Sequence, residues 1–311
     1  MNNPNKTMDN SKKRILSRNA KKNIFLAGLF FIPVVHFIIF WGVVNFNSVI
    51  LAFQRLNVTT GSKYFTFENF RTVGILFKLG ELKDALLNTL LVSGFLMLFL
   101  LPWAFLITYF LCKKIPLTGF WRVMLFIPTI IPAIAMAFIF RYIIYPEGPV
   151  GHLWALFGKT APAFLEEPAF ARWTVIAYIF WTNFGGQFIL LSGAMSRVPK
   201  EVLESARIDG AGMRVEMLRI MLPLCWPTIS MLILLNMASL FTASGPLLFL
   251  NSGGARSETI SFWIFKNVNA GAFSIRLNEP AALGIACTVI LFPIIMLTRW
   301  GLGKVYADVE F

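Results

Sequence analysis

Long apolar stretches alternate with shorter polar ones along the whole chain. Six of them stand out, at about 24–50, 86–111, 123–144, 173–195, 221–244 and 281–300. Each is close to the ~20 residues that a helix needs to cross a hydrocarbon core. Lipid offers no partner for a bare N–H or C=O, so a backbone that crosses it must bond to itself. The pattern therefore predicts six transmembrane helices in an all-α, polytopic membrane protein. Pro33, Pro102, Pro128, Pro132 and Pro293 lie inside these stretches, and Pro223 and Pro227 lie near the start of the fifth. They predict kinks whose freed backbone groups are satisfied by neighbouring helices. The first stretch is too long for a signal peptide, whose apolar region is about 7–15 residues. It predicts an uncleaved span.

Composition agrees. Of 311 residues, 57% are hydrophobic and only 14% are charged, and the mean hydropathy is +0.69. Soluble domains carry about 25% charged residues. The net charge of +13 would suggest nucleic acid in a soluble chain. With six apolar stretches it points to basic loops beside a membrane instead, and no nucleic-acid partner is expected. Six spans put both termini on one side. The loops of that side, with the N-terminal tail and Arg299, hold 17 Lys and Arg against 10 on the other. The basic side is predicted to be cytoplasmic.

Catalytic chemistry is sparse. Gly158-Lys159-Thr160 resembles the end of a phosphate-binding loop, but Leu153 stands where that motif needs its first glycine. His36 and His152 have no metal-ligand spacing. Cys112, Cys225 and Cys287 are far apart and form no zinc or redox motif. The six stretches contain no Asp or Glu, which argues against a proton-driven carrier. No metal and no catalytic residue is predicted.

The segment Arg197–Ile229, on the predicted cytoplasmic side, is the informative one. Pro199 suits a helix start. Val202, Leu203 and Ala206 share one face, with Lys200, Glu204 and Arg207 around the remainder. Asp209-Gly210 predicts a turn. A second short helix from about 212 would present Val215, Leu218 and Leu222. Two short amphipathic helices with a glycine joint suit a docking element, and an ordinary helix on the membrane surface is the other reading.

The segment resembles the EAA motif of ABC-importer permeases: Glu-Ala-Ala, three residues, Gly, nine residues, Ile, one residue, Leu-Pro. Here Glu204-Ser205-Ala206, Gly210, Ile220 and Leu222-Pro223 stand at those spacings, with Ser205 as the one departure. The resemblance covers about residues 24–304. It includes Phe65 to Phe70 (FTFENF), Asn88-Thr89-Leu90, Phe126-Ile127-Pro128, Arg141-Tyr142, Trp181 with Gly185 and Gly186, and Ser252-Gly253-Gly254. These resemble the carbohydrate-uptake subfamily of the maltose or glycerol-phosphate type.

The resemblance implies a type I ABC-importer permease fold in a bacterial or archaeal cytoplasmic membrane. It implies a basic tail (1–23), a permease domain (24–304) containing the 196–220 coupling loop, and a short C-terminal tail (305–311). Implied partners are a second homologous permease forming a heterodimer, two ATPase subunits, an extracytoplasmic solute-binding protein and membrane lipid. This chain would hold no cofactor, ATP and Mg being on the ATPase. By the resemblance, Glu204, Ser205, Ala206, Asp209, Gly210, Ala211, Ile220, Leu222 and Pro223 couple to the ATPase. Glu204 would be the anionic contact, although a pair with Arg207 within the helix is its plainer role. For the substrate path the polar residues of the fourth and fifth spans are Asn183, Gln187, Asn236, Ser239 and Thr242. Contact with a sugar and hydrogen bonding between helices are both open for them. Other solutes, such as a phosphate ester or polyamine, and a non-transporting receptor or scaffold are the alternatives.

Overall fold

The computed structural model describes residues 4–57, 61–113, 115–241, 245–269 and 277–305, and the side chains of these except 4–19, 241, 245 and 246. The first span is α1 (Pro4–His36), which runs through a π-helical segment, Phe37–Val43, into α2 (Val44–Ala52). A two-stranded antiparallel hairpin follows, β1 (Gln54–Leu56) and β2 (Lys63–Phe65), with Arg55 opposite Tyr64. It is a small addition to an otherwise helical chain. An amphipathic helix, α3 (Glu68–Lys78), then leads to Gly80. That residue's φ of 92° starts the second span, α4 (Glu81–Phe95), which continues through π-helical Leu96–Leu100 into α5 (Leu101–Cys112).

The third span is broken. α6 (Thr118–Ile130) and the helical stretch Ala133–Leu156 meet at 109°. The stretch comprises α7 (Ala133–Ile144) and α8 (Pro149–Leu156). Ile131 has ψ 134°, the extended state that a residue before proline prefers. Pro132 thus ends a helix that hydropathy alone reads as continuous. The fourth span, α9 (Pro168–Ser196), is unbroken. After it come α10 (Lys200–Ile208), α11 (Met213–Val215), π-helical Glu216–Met221 and α12 (Leu222–Leu224). The fifth span then turns by 68° into α13 (Trp226–Ala238). The chain closes with α14 (Gly245–Leu250), α15 (Ile260–Asn269) and the sixth span, α16 (Asn278–Val305). Among the described residues four helices are long and apolar enough to cross a membrane, and six spans result when each bent pair counts as one.

α9 is the axis of the packing. It lies against α5 and α6 along much of its length and also touches α4, α13 and α14. More than half of its most apolar stretch is buried, whereas none of that of Ala20–Ala52 is. α9 is also the least apolar of the four unbroken spans. Protein neighbours tolerate the polar groups that lipid would penalise. Gly185 allows α6 to approach: a Cβ there would stand 2.1 Å from Thr129 Oγ1 and 3.1 Å from the Leu125 carbonyl.

Three apolar cores result. The first joins Leu101, Phe105 and Tyr109 of α5 to Phe188, Leu191 and Met195 of α9 and to Cys225 and Ile229. The second joins Ala52, Val73, Leu82, Trp263 and Leu283 at the opposite end of the bundle. The third lies between α7, α9, α14 and α15.

Buried amides tie the loops of that opposite end. Asn69 Nδ2 donates to the carbonyls of Ala52 and Gln54 at 2.8 and 2.9 Å, beside the packed rings of Phe53, Phe65, Phe67 and Phe70. Asn88 Nδ2 donates to the carbonyls of Arg256 and Glu258, both at 2.7 Å. Thr89 Oγ1 accepts from the Ile260 N–H at 2.9 Å. The Asn-Thr pair two turns into the second span is therefore the clamp on loop 251–259. In that loop Ser252, Gly253, Ala255 and Arg256 all have positive φ. Burial pushes the Glu258 carboxyl upward in pKa, against the pull of Lys266 at 3.3 Å.

Replacing Asn88 by Leu leaves two carbonyls without their donor, at a cost of about 1–3 kcal/mol. The expected result is a loop 251–259 that is cut faster by protease while the spans stay protected. Equal cutting of Asn88→Leu and wild type would refute the clamp.

Candidate functional site

The segment after α9 builds a compact structure at one end of the bundle. Pro199 is the N-cap of α10. Ser205 Oγ donates to the Glu201 carbonyl one turn back, at 2.8 Å, so the serine replacing the motif's alanine is absorbed locally. Asp209 is the C-cap, and Gly210 follows with φ 81°. The Ala211 N–H reaches the Ala206 carbonyl at 2.9 Å, and the Gly210 N–H reaches that of Arg207 at 3.1 Å. This is a Schellman closure, in which a left-handed residue lets two N–H groups turn back onto the last helical carbonyls. It needs a residue at ease with positive φ, which is glycine. The Asp209-Gly210 turn lies where the sequence predicts it.

The residues of the two apolar faces differ in how far the fold covers them. In α10 only Leu203 and Ala206 are partly covered, while Val202 is exposed. In the second short helix Val215 and Leu218 are exposed, and Leu222 is half-buried. The covered positions are Glu216 and Met221. The reason is the π-helical register. Pro223 has no N–H, and the Leu222 N–H reaches back five residues to Met217. This wider turn, closed by a bond five residues back, brings Glu216 and Met221 onto one side.

Glu204 is exposed and forms no ion pair among the described residues. Its expected partner within the helix, Arg207, pairs instead with Glu216, Nε to Oε2 at 3.5 Å. Ile220, Leu222 and Pro223 are half-buried, and Leu222 packs on the first core. On the outer surface of the segment stand Ile208, which is 86% exposed, and Met213 and Leu218, each about half exposed.

Beneath α10 lies a cluster that the motif does not describe. Glu216, 2% exposed, accepts from Lys113 Nζ at 2.6 Å. Lys113 lies 5.3 Å from the Tyr109 ring centre, and the Tyr109 hydroxyl donates to the Met213 carbonyl at 3.3 Å. A cavity of about 300 Å³ opens between this cluster and α10. One sequence signal pointed to it: Glu216 is the sole carboxylate between Asp209 and Glu258, and it stands in the apolar lead-in to a span.

The polar residues of the fourth and fifth spans separate. Gln187 Nε2 donates to Asn236 Oδ1 at 3.0 Å, joining α9 to α13. The other halves of the two amides, Gln187 Oε1 and Asn236 Nδ2, are buried without a protein partner. Asn183 is exposed and donates to the Ile179 carbonyl of its own helix at 2.9 Å. Ser239 Oγ donates to the Asn236 carbonyl at 2.9 Å. Thr242 lies outside the described residues.

The chain matches the model of the family described as "Binding-protein-dependent transport system inner membrane component" over residues 101–307. It is 25% identical to the sn-glycerol-3-phosphate transport system permease protein UgpA of Pectobacterium atrosepticum over 241 residues. That match covers 74% of this chain and 80% of the relative. It is 27% identical to the multiple sugar-binding transport system permease protein MsmF of Streptococcus mutans over 237 residues, 74% of this chain and 79% of the relative. Among solved structures, a chain of a bacterial ABC transporter involved in the import of the acidic polysaccharide alginate superposes with a TM-score of 0.81 at 22% identity. The superposition covers 93% of this chain and 99% of that one. A second structure of an alginate transporter, in complex with an alginate pentasaccharide-bound periplasmic protein, gives 0.80 at the same identity, over 94% and 99% of the two chains. The six spans around α9 have the type I ABC-importer permease fold, and the chain belongs to the family of inner-membrane components of binding-protein-dependent transport systems.

Proposed function

We propose that this chain is a pore-forming permease subunit of an ATP-driven importer of a sugar or oligosaccharide, and that α10 is its coupling helix. The observation that carries the coupling role is the surface of the 200–220 segment. The Schellman-closed α10 presents Ile208 and the unpaired Glu204 to the outside, and the segment that follows it presents Met213 and Leu218. Exposed apolar side chains gathered around a charge mark a protein interface. The partner is an ATPase subunit, two of which hold ATP and Mg. A second, homologous permease completes the pore, and an extracytoplasmic binding protein delivers the solute. Both termini and α10 then face the cytoplasm.

The mechanism is a two-state element biased from both ends. Closure of the ATPase dimer draws the two coupling helices together, and the spans follow as levers until the pore opens outward. Hydrolysis reverses the movement. The sugar assignment rests on the relatives' names and on the residue resemblances in the third and fourth spans.

At the contact of α9 with α13, Gln187 and Asn236 leave one acceptor and one donor unused among the described residues. Sugar hydroxyls both donate and accept, and polar groups of this kind orient a ligand on a mostly apolar wall. Reconstitution in proteoliposomes with the second permease, the ATPase and the binding protein tests the proposal. ATP-dependent accumulation of a sugar from a panel is the expected result. Accumulation of polyamines or phosphate esters alone would replace the solute class, and binding without accumulation would favour a receptor. In the same assay Asn236→Ala should lower the rate about tenfold for a transported sugar, the loss of one to two hydrogen bonds. An unchanged rate and selectivity would assign Asn236 to helix packing alone.

A further inference from the structure

A coupling helix works only if force on it reaches the spans. α10 has a weak apolar grip: none of its residues is buried, and only Leu203 packs on the first core. Val198, just before its N-cap, is buried in the first core and holds its start. Its far end is tied to the spans by the charged cluster beneath it. Glu216 Oε2 meets Lys113 Nζ at 2.6 Å and Arg207 Nε at 3.5 Å. Lys113 is the C-cap of the second span. Arg207 stands in the last turn of α10, and Glu216 begins the π-helical lead-in to the fifth span. One carboxylate oxygen therefore joins three segments, of which the second span lies 103 residues away in sequence. A carboxylate this deeply buried is tolerated only while its cations stay in contact. Shear of α10 against the spans would draw Arg207 away and leave Lys113 as its one cation among the described residues.

We infer that Glu216 is a positioning residue that makes the coupling helix, the end of the second span and the start of the fifth move as one body. The inference rests on the coupling role proposed for α10. The Tyr109 hydroxyl on the Met213 carbonyl supports the same junction from the α5 side. Arg207, at 54% side-chain exposure, is the outer arm of the cluster, and Lys113, at 25%, is the inner one.

The test uses the complete transporter in proteoliposomes and reads solute moved per ATP hydrolysed. Glu216→Gln keeps the shape and removes the charge. Its ATPase subunits should still co-purify, and ATP should still be hydrolysed. Transport per ATP should fall about tenfold, within the usual range of coupling between sites. Exchanging the charges, Glu216→Lys with Lys113→Glu, keeps the inner pair but sets two cations at the Arg207 arm, so insertion should be preserved while the ratio stays low; a wild-type ratio in this double variant would also overturn the inference. Lys113→Gln and the surface variant Arg207→Gln should lower the ratio in the same direction, Arg207→Gln by less.

Wild-type transport per ATP in Glu216→Gln overturns the inference. If Glu216→Gln does not insert, wild-type ratios in both Lys113→Gln and Arg207→Gln overturn it. Failure of the underlying coupling role looks different: the ATPase subunits would then still bind and drive Glu204→Lys normally.

Discussion

Gly210→Pro stops ATP-driven uptake while the chain still inserts in the membrane. Gly210 sits at φ 81° and donates its N–H to the Arg207 carbonyl. Proline holds φ near −65° and has no N–H, so both the turn and the bond are lost, at ~3 kcal/mol or more. The damage is local, because a Cβ on Gly210 would meet nothing within 4 Å. The spans keep their packing, and α10 loses its direction. Gly210→Ala is the graded control. It keeps the N–H and adds only the left-handed penalty of roughly 1–2 kcal/mol, so partial uptake is expected. Glu204→Lys reaches the same endpoint by another route, since it reverses an exposed charge without touching the backbone. Uptake of labelled solute into vesicles, normalised to permease in the membrane, reads all three variants. Wild-type rates in both Gly210→Pro and Glu204→Lys would remove the coupling assignment.

Gly185→Val has the largest effect on the fold. Its Cβ would lie 2.1 Å from Thr129 Oγ1 and 3.1 Å from the Leu125 carbonyl oxygen. Thr129 is β-branched and the Leu125 carbonyl is backbone, so neither can yield by rotating a long side chain. Thr129 Oγ1 also donates to the Thr182 carbonyl at 3.3 Å, and moving it would disturb that link between α6 and α9. Overpacking of this kind costs about 1–3 kcal/mol or more. It falls on the contact that holds the broken third span against the central helix. The expected result is a lower unfolding temperature in detergent and less permease in the membrane. Gly186→Ala, one position along, meets open space and should stay within about 0.5 kcal/mol of wild type. Equal unfolding temperatures for Gly185→Val and wild type would refute the close approach.

Much of this was visible in the order of residues, for reasons of range. A span is a local property: about twenty apolar residues must satisfy their own backbone wherever they sit in lipid. The Asp209-Gly210 turn is local as well, since a left-handed closure depends on the one residue that adopts it at little cost. The motif at Glu204–Pro223 was therefore readable, and so was the class of protein it belongs to.

Contacts across the chain were not readable. Hydropathy drew the third span as one helix and Pro132 marked a kink in it, but the 109° of the bend was not readable from the residues. Periodicity grouped Val215, Leu218 and Leu222 as apolar positions of one short helix and said nothing of Glu216, which the π-helical register turns inward with Met221. The pairing of Gln187 with Asn236 joins residues 49 apart, and that of Lys113 with Glu216 joins residues 103 apart. The sequence by itself determined the six apolar segments and the glycine-closed docking loop, because each depends on interactions within a few turns of helix. Only the tertiary structure decided which polar groups are buried and what they hold, because a buried charge takes its partner from whichever helix the fold brings alongside it.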